Sequence, residues 1–252
     1  MPITDPWFYL AAAPALLITG ISKGGFGGGL AIVGVPLMSL VIAPAQAAAI
    51  MLPILILMDW IGVGAYRKTW DRGTLAVMLP GAAVGIALGG LVFGALNEDL
   101  VRLVLGVVAV AFSLNFLLPR RRSKPARRPN AWRGGLFGGL SGFTSTIAHA
   151  GGPPASMYLL PLRLDKTVFV GTTVILFTAI NLMKVVPYAL IGQFSGTNLL
   201  TSLALAPLAP LGVFAGLWLH RRVDEGVFYR LCYSFVLITG LKLIYDGMAW
   251  LL

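Results

Sequence analysis

The chain has 252 residues, of which 58% are hydrophobic and 11% are charged, and its formal net charge is +10. A soluble domain carries about 25% charged residues, so this composition leaves too little polar surface for a water-facing globule. The basic residues lie mostly in short loops between apolar segments, which is typical of membrane topology and not of a nucleic-acid-binding groove. We therefore expect an all-α integral membrane protein in contact with lipid, with no nucleic-acid partner.

The apolar stretches are long enough for membrane helices and too uniformly apolar for barrel strands, which alternate. In the first half, residues 1–118, the predicted segments are 7–22, 30–42, 46–66, 74–96 and 99–118. A basic linker covers residues 119–133. In the second half, residues 134–252, the predicted segments are 134–149, 153–162, 167–191, 198–219 and 227–251.

The first two segments of each half are short and are joined by a glycine-containing break. Segment 30–42 would extend about 20 Å as a helix, which is less than the roughly 30 Å of the hydrocarbon core. We therefore predict that each pair forms a re-entrant hairpin with its tip inside the protein, followed by three transmembrane helices. Two tilted full spans are the alternative for each pair.

Basic residues predict the orientation of these segments. Four loops carry them, at 67–72, in the linker, at 163–166 and at 221–222, and the intervening loops contain few Lys or Arg. With the four basic loops in the cytoplasm, the positive-inside rule is satisfied throughout and both termini lie outside. The two halves then cross the membrane in opposite directions.

The two halves also carry matching residues in the same order. The Val-Pro-Leu at 35–37 corresponds to Leu-Pro-Leu at 160–162, and Pro80 corresponds to Pro207. Together with the opposite orientations, these matches predict two inverted-topology repeats. Such repeats are common in secondary transporters, whose substrate site lies near the membrane midplane between them.

The first glycine break is the stretch 23–29, which begins directly after Ser22. Glycines let the backbone approach a ligand closely, and successive exposed N–H groups form an anion-binding nest. A lysine at this depth adds a full charge, which usually marks function inside a membrane. We therefore expect a substrate-binding role for Lys23, Gly24, Gly25, Gly27 and Gly28. The alternative is that the glycines only permit a tight turn and that Lys23 extends to the cytoplasmic surface.

The second break supplies hydroxyl groups, an imidazole and two glycines. Its candidate substrate-binding residues are Ser145, Thr146, His149, Gly151 and Gly152. Hydroxyls donate readily to an oxyanion, and histidine can donate a hydrogen bond or relay a proton. The alternatives are a structural histidine bonded to a backbone carbonyl, and hydroxyls that only hold membrane helices together.

Asp59 and Lys184 carry opposite charges at equivalent positions of the two halves. Each lies within a long apolar segment, where an unpaired charge is costly. We expect both side chains to face the protein interior and to pair with each other across the pseudo-symmetry axis. The alternative is that Lys184 binds the substrate. Asn181, one turn before Lys184, would share its helix face.

Other chemistry is sparse. One cysteine, Cys232, and two distant histidines, His149 and His220, form no metal-ligand pattern, and the sequence has no phosphate-loop motif. We expect no cofactor, no metal site and no enzymatic activity. Energy for transport must then come from an ion gradient, a substrate gradient or a partner. The oligomeric state, a homodimer included, stays open.

The sequence resembles the TauE/SafE family of sulfite exporters and anion permeases. The resemblance rests on residues 20–29 through 35–37, on 138–142 through 151–154, and on 207–212, and it spans nearly the whole chain. It implies a secondary transporter that exports sulfite or an organosulfonate such as sulfoacetate by alternating access, in the inner membrane of a bacterial cell. The alternatives are an anion channel of the same fold and a transporter for another small anion or a metal ion.

Overall fold

The computed structural model describes residues 2–29, 31, 34–92, 98–117 and 129–248, and these residues form helices and turns without a strand. The helices of the first half are α1 Pro6–Gly25, α2 Gly34–Met38, α3 Pro44–Tyr66, α4 Arg72–Leu91 and α5 Glu98–Leu117. Those of the second half are α6 Ala131–Ala148, α7 Gly152–Leu159, α8 Lys166–Leu190, α9 Gly196–Leu205, α10 Leu208–Arg222 and α11 Glu225–Met248. The predicted all-α class is confirmed.

Three boundaries differ from the predicted segments. α6 begins at Ala131, inside the predicted linker 119–133, because the Asn130 side chain caps it by accepting from the backbone N–H of Arg133 at 3.0 Å. Of that linker, residues 119–128 lie outside the described residues. The predicted helix 30–42 is reduced to α2. Segment 198–219 is divided into α9 and α10, which are bent by 45° at a break next to Pro207.

Among the described residues, four helices are long and apolar enough to cross a membrane: α3, α4, α8 and α11. The bent pair α9–α10 makes a fifth span if it is counted as one. Large apolar side chains cover the outer surfaces of these helices, including Leu91, Leu190, Leu203 and Leu211, all more than half exposed. Such an apolar surface is unfavourable in contact with water and favourable in contact with lipid chains. The chain is therefore a multi-pass membrane protein.

In the first half, α1 and α3 run in the same direction. Near their ends, the Tyr66 hydroxyl donates to the Gly24 carbonyl at 2.8 Å. Further back, Gly34 at the start of α2 lies against both Thr19 of α1 and Met51 of α3. The chain between α1 and α3 must therefore return toward the side on which α1 began, as a hairpin requires.

The second half contains a corresponding hairpin. The Tyr158 hydroxyl near the end of α7 donates to the carbonyl of Asn130, 3.2 Å away, and accepts from its N–H at the same distance. α7 therefore runs back to the start of α6. His149 makes the turn between them in a left-handed conformation, with φ of 50°.

Glycines allow the hairpins to pack closely on the opposite halves. A Cβ added at Gly85 of α4 would lie 2.0 Å from the carbonyl oxygen of Gly139 in α6. A Cβ added at Gly24 of α1 would lie 2.4 Å from the carbonyl oxygen of Val213 in α10. Each hairpin's first helix thus contacts a helix of the other half backbone to backbone. This packing fixes the depth and rotation of α1 and α6, and hence the positions of the residues at their ends.

Candidate functional site

The two hairpin tips meet inside the protein. A Cβ added at Gly152 would lie 3.0 Å from the carbonyl oxygen of Gly28, so the two glycine breaks touch through their backbones. Gly27 and Gly28 have φ of 67° and 77°, a left-handed conformation that glycine adopts without strain. Gly28 therefore both adopts a backbone conformation that favours glycine and forms the contact between the two tips.

Lys23 lies in the last turn of α1 and is 7% exposed, so its side chain stays inside the protein. Its Nζ atom lies 2.7 Å from Oδ1 of Asp59 in α3. Asn181 of α8 donates to Oδ2 of the same carboxylate at 2.6 Å. The ring of Phe177 lies 5.6 Å from the ammonium, in the range of a cation–π contact. Three helices thus converge on one buried ion pair.

Lys184 of α8 is fully buried and contacts the second hairpin tip. Its Nζ atom donates to the backbone oxygen and to the hydroxyl of Ser145, each at 3.0 Å, and lies 3.1 Å from Nδ1 of His149. When Lys184 is an ammonium ion, its three N–H donors are satisfied by these three contacts and Nδ1 of His149 accepts. The second hairpin tip is therefore held by a lysine that makes no contact with a carboxylate among the described residues.

The tautomer of His149 depends on the charge of Lys184. When Nδ1 accepts from a Lys184 ammonium, the ring proton of the neutral imidazole is on Nε2, which lies 3.2 Å from the Tyr188 hydroxyl. The Tyr188 hydroxyl then donates to the carbonyl of Thr146 at 3.2 Å. These donors form a chain that begins at Lys184 and ends on the backbone of α6.

The direct pair predicted between Asp59 and Lys184 is replaced by two separate groups. Both side chains face the interior, as expected, with exposures of 1% and 0%. Asp59, however, pairs with Lys23, while Lys184 bonds to Ser145 and His149. The antiparallel crossing of α3 and α8 explains this, because it brings Asp59 level with Asn181 and leaves Lys184 closer to the end of α6.

A pocket lies between the two groups, and its empty space, open solvent at the mouth included, is about 360 Å³. Its lining residues are Lys23, Gly28, Ala31, Leu55, Ser145, His149, Gly152, Phe177 and Asn181. A smaller space of about 160 Å³, also including open solvent, shares Lys23, Gly28 and Phe177 with this cavity and reaches Gly27 and Asp59. Both hairpin tips and both charged groups therefore border one central region.

Four predicted site residues have contacts that hold the hairpins together. Gly24 and Gly25 belong to the last turn of α1, where their carbonyls accept from Tyr66 and from Nδ1 of His220, 3.0 Å away. The Thr146 hydroxyl bonds back to its own helix, at 2.9 Å from the Gly142 carbonyl. The Gly151 carbonyl accepts from the Ser141 hydroxyl at 2.8 Å. Because α1 extends to Gly25, its helical hydrogen bonds use the N–H groups that the nest would need.

Phe177 and Tyr188, which the sequence-based site omitted, lie on α8 together with Asn181 and Lys184. Phe177, Asn181, Lys184 and Tyr188 recur at three- and four-residue spacing and so occupy one face of that helix. This helical periodicity of polar and aromatic residues in an apolar segment was the available signal. Asn181 was expected on the face of Lys184, and the structure places it there.

The charges of this region do not balance. Among the described residues, Asp59 is the carboxylate that pairs with a lysine here, and Lys184 has only neutral partners. With both lysines protonated, two lysines and one carboxylate leave one excess positive charge among these buried side chains. A buried excess charge is unfavourable unless it is compensated, so the cavity is suited to an anion.

One comparison with known proteins bears on this geometry. The model of a protein family described as sulfite exporter TauE/SafE matches residues 12–243. The chain belongs to the TauE/SafE sulfite exporter family. The matched region contains both hairpins and every residue that lines the cavity, and it confirms the resemblance seen in the sequence. Comparisons with curated proteins and with solved structures return no match.

Proposed function

We propose that this TauE/SafE family member exports a small sulfur oxyanion, sulfite or an organosulfonate such as sulfoacetate, across the cell membrane. The observation that carries the proposal is the central cavity at the meeting point of two glycine breaks, which Lys23 lines. A second buried lysine, Lys184, contacts Ser145 and His149 of its wall. Lys23, Ser145, His149 and Asn181 supply polar groups at its wall, and Gly28 and Gly152 let the backbone approach a ligand.

We further infer that the two halves are inverted repeats that work by alternating access. Supporting contacts are the antiparallel crossing of α3 and α8, at Asp59–Asn181 and at Gly62–Val174, and the reciprocal packing of each hairpin on the other half. Glycine contacts such as that of Gly106 with Gly240 pair the last helices, α5 and α11. Movement of one repeat against the other would open the cavity to each side in turn.

The positive-inside rule gives the proposed orientation, with the basic loops in the cytoplasm and both termini outside. An inside-negative membrane potential then favours the exit of an anion by about 2.3 kcal/mol per charge per 100 mV. Export can therefore proceed on the potential, with no coupling ion required by energetics.

Flux measurements in proteoliposomes test the proposal. We expect saturable sulfite flux at fixed membrane potential for the wild type, its loss in Lys23→Ala, and its retention in Lys68→Ala, which removes an exposed loop lysine. Counterflow would identify a carrier, and conductance far above carrier turnover would identify a channel. Absence of sulfite flux, with no inhibition of any flux by sulfate, sulfoacetate, acetate or nitrite, would overturn the proposal.

A further inference from the structure

We propose that Asp59 selects the charge of the transported anion, so that the cavity accepts singly charged oxyanions and disfavours doubly charged ones. This inference rests on the proposed transport of anions through the same cavity. It distinguishes between the proposed substrates. Hydrogensulfite carries one negative charge and would be accepted, whereas sulfoacetate carries two, on its sulfonate and its carboxylate, and would be disfavoured.

The first step concerns Lys184, which as an ammonium ion has no anionic partner among the described residues. In that form all three of its N–H donors have acceptors, two on Ser145 and one on His149. A neutral amine would instead need the His149 ring or the Ser145 hydroxyl to donate to it. Lys184 lies directly behind two residues of the cavity wall.

The second step concerns Lys23, whose charge is already compensated. Asp59 lies 2.7 Å from its Nζ atom, and both side chains are almost completely buried. Lys23 therefore contributes hydrogen-bond donors to the cavity and little net charge. The excess positive charge near the cavity is that of Lys184 alone, and one negative charge on a ligand compensates it.

The third step concerns the position of Asp59. Its carboxylate borders the smaller space, which shares Lys23, Gly28 and Phe177 with the main cavity. Asn181 donates to Oδ2 at 2.6 Å and so restrains the carboxylate close to any anion that Lys23 binds. A second charge on the ligand would remain uncompensated in a region shielded from water and would be repelled by Asp59.

Methanesulfonate and sulfate are suitable probes because both have a tetrahedral sulfur and they differ by one unit of charge. In proteoliposomes at fixed potential, we expect the wild type to transport methanesulfonate at least tenfold faster than sulfate. Asp59→Asn, which keeps the shape and the hydrogen-bonding capacity of the side chain, should lower that ratio at least tenfold. The matched control is Asp5→Asn, an exposed capping residue that Asn replaces well, and its ratio should equal that of the wild type.

A double variant separates charge from structural damage. Lys23→Gln combined with Asp59→Asn removes one charge of each sign, so it should recover the wild-type preference even at a lower rate. A wild type that transports both probes equally, or an Asp59→Asn protein that is active with an unchanged ratio, would overturn the inference and leave anion transport standing. A wild type that transports no anion would instead overturn the proposed function. If Asp59→Asn does not fold, the wild-type ratio still tests the inference, because equal transport of the two probes would contradict it.

Discussion

The Nζ atom of Lys184 lies 3.1 Å from Nδ1 of His149, and this contact joins a transmembrane helix to the tip of the second hairpin. The other ring nitrogen of His149, Nε2, contacts the hydroxyl of Tyr188, which is on the same helix as Lys184. The imidazole is thus bound by two side chains of α8, one on each ring nitrogen. A movement of α8 relative to the hairpin would have to break both contacts.

Replacement of Lys184 should abolish transport. Lys184→Met removes the excess positive charge and leaves the Ser145 oxygens and Nδ1 of His149 without their donor. We expect anion flux to fall at least tenfold, which corresponds to about 1.4 kcal/mol of lost stabilisation. Lys242→Met is the matched control, because Lys242 is partly exposed on α11 and pairs with Asp246. Wild-type flux in Lys184→Met would show that the cavity does not need this charge.

The backbone of His149 makes a prediction that is separate from its ring. With φ of 50°, the residue occupies a region that costs a non-glycine residue about 1–2 kcal/mol. His149→Ala and His149→Gly both remove the imidazole, so their difference isolates the backbone. We expect the Gly variant to exceed the Ala variant by about 1 kcal/mol in the free energy of unfolding in detergent. Equal stabilities would mean that the left-handed turn is not maintained in the Ala variant.

Glycine contacts between the halves should dominate the stability of the membrane domain. Gly85→Ala would place a Cβ 2.0 Å from the Gly139 carbonyl oxygen, so the backbones of α4 and α6 must separate. We expect a loss of about 1–3 kcal/mol, measured by thermal unfolding in detergent. Gly64→Ala, also within a helix but with no atom within 4 Å of the added Cβ, should be neutral or slightly stabilising. A similar loss in both variants would argue against the close packing.

The proposed orientation predicts which loops a membrane-impermeant maleimide can reach. Cys232, the chain's one cysteine, is 3% exposed and should give little background labelling. Thr197→Cys, exposed at the start of α9, should react in intact cells, whereas Lys68→Cys, exposed in a basic loop, should react only after permeabilisation. The reverse pattern would invert the proposed topology.

Much of the fold could be predicted from composition and local signals. Long apolar runs can bury their backbone in lipid only as helices, and prolines and capping residues such as Asp71 and Asn130 limit those helices. The residues for which we predicted burial, Lys23, Asp59 and Lys184, are all buried, because a charge within an apolar run must face the protein interior. Gly24 and Gly25 were less predictable. Their helix propensity is low, yet contacts with α10, Tyr66 and His220 hold them in α1.

The sequence by itself determined the helical class, the membrane environment, the family and the charged residues of the interior, because each depends on local composition and on the cost of burying charge. Tertiary structure decided which charges meet. Sequence symmetry placed Asp59 opposite Lys184, but close glycine packing of α1 on α10 brings Lys23 to Asp59, and the crossing of α3 and α8 brings Lys184 to His149. Partner choice depends on the depth and rotation of each helix, and these are set by contacts between residues far apart in the chain.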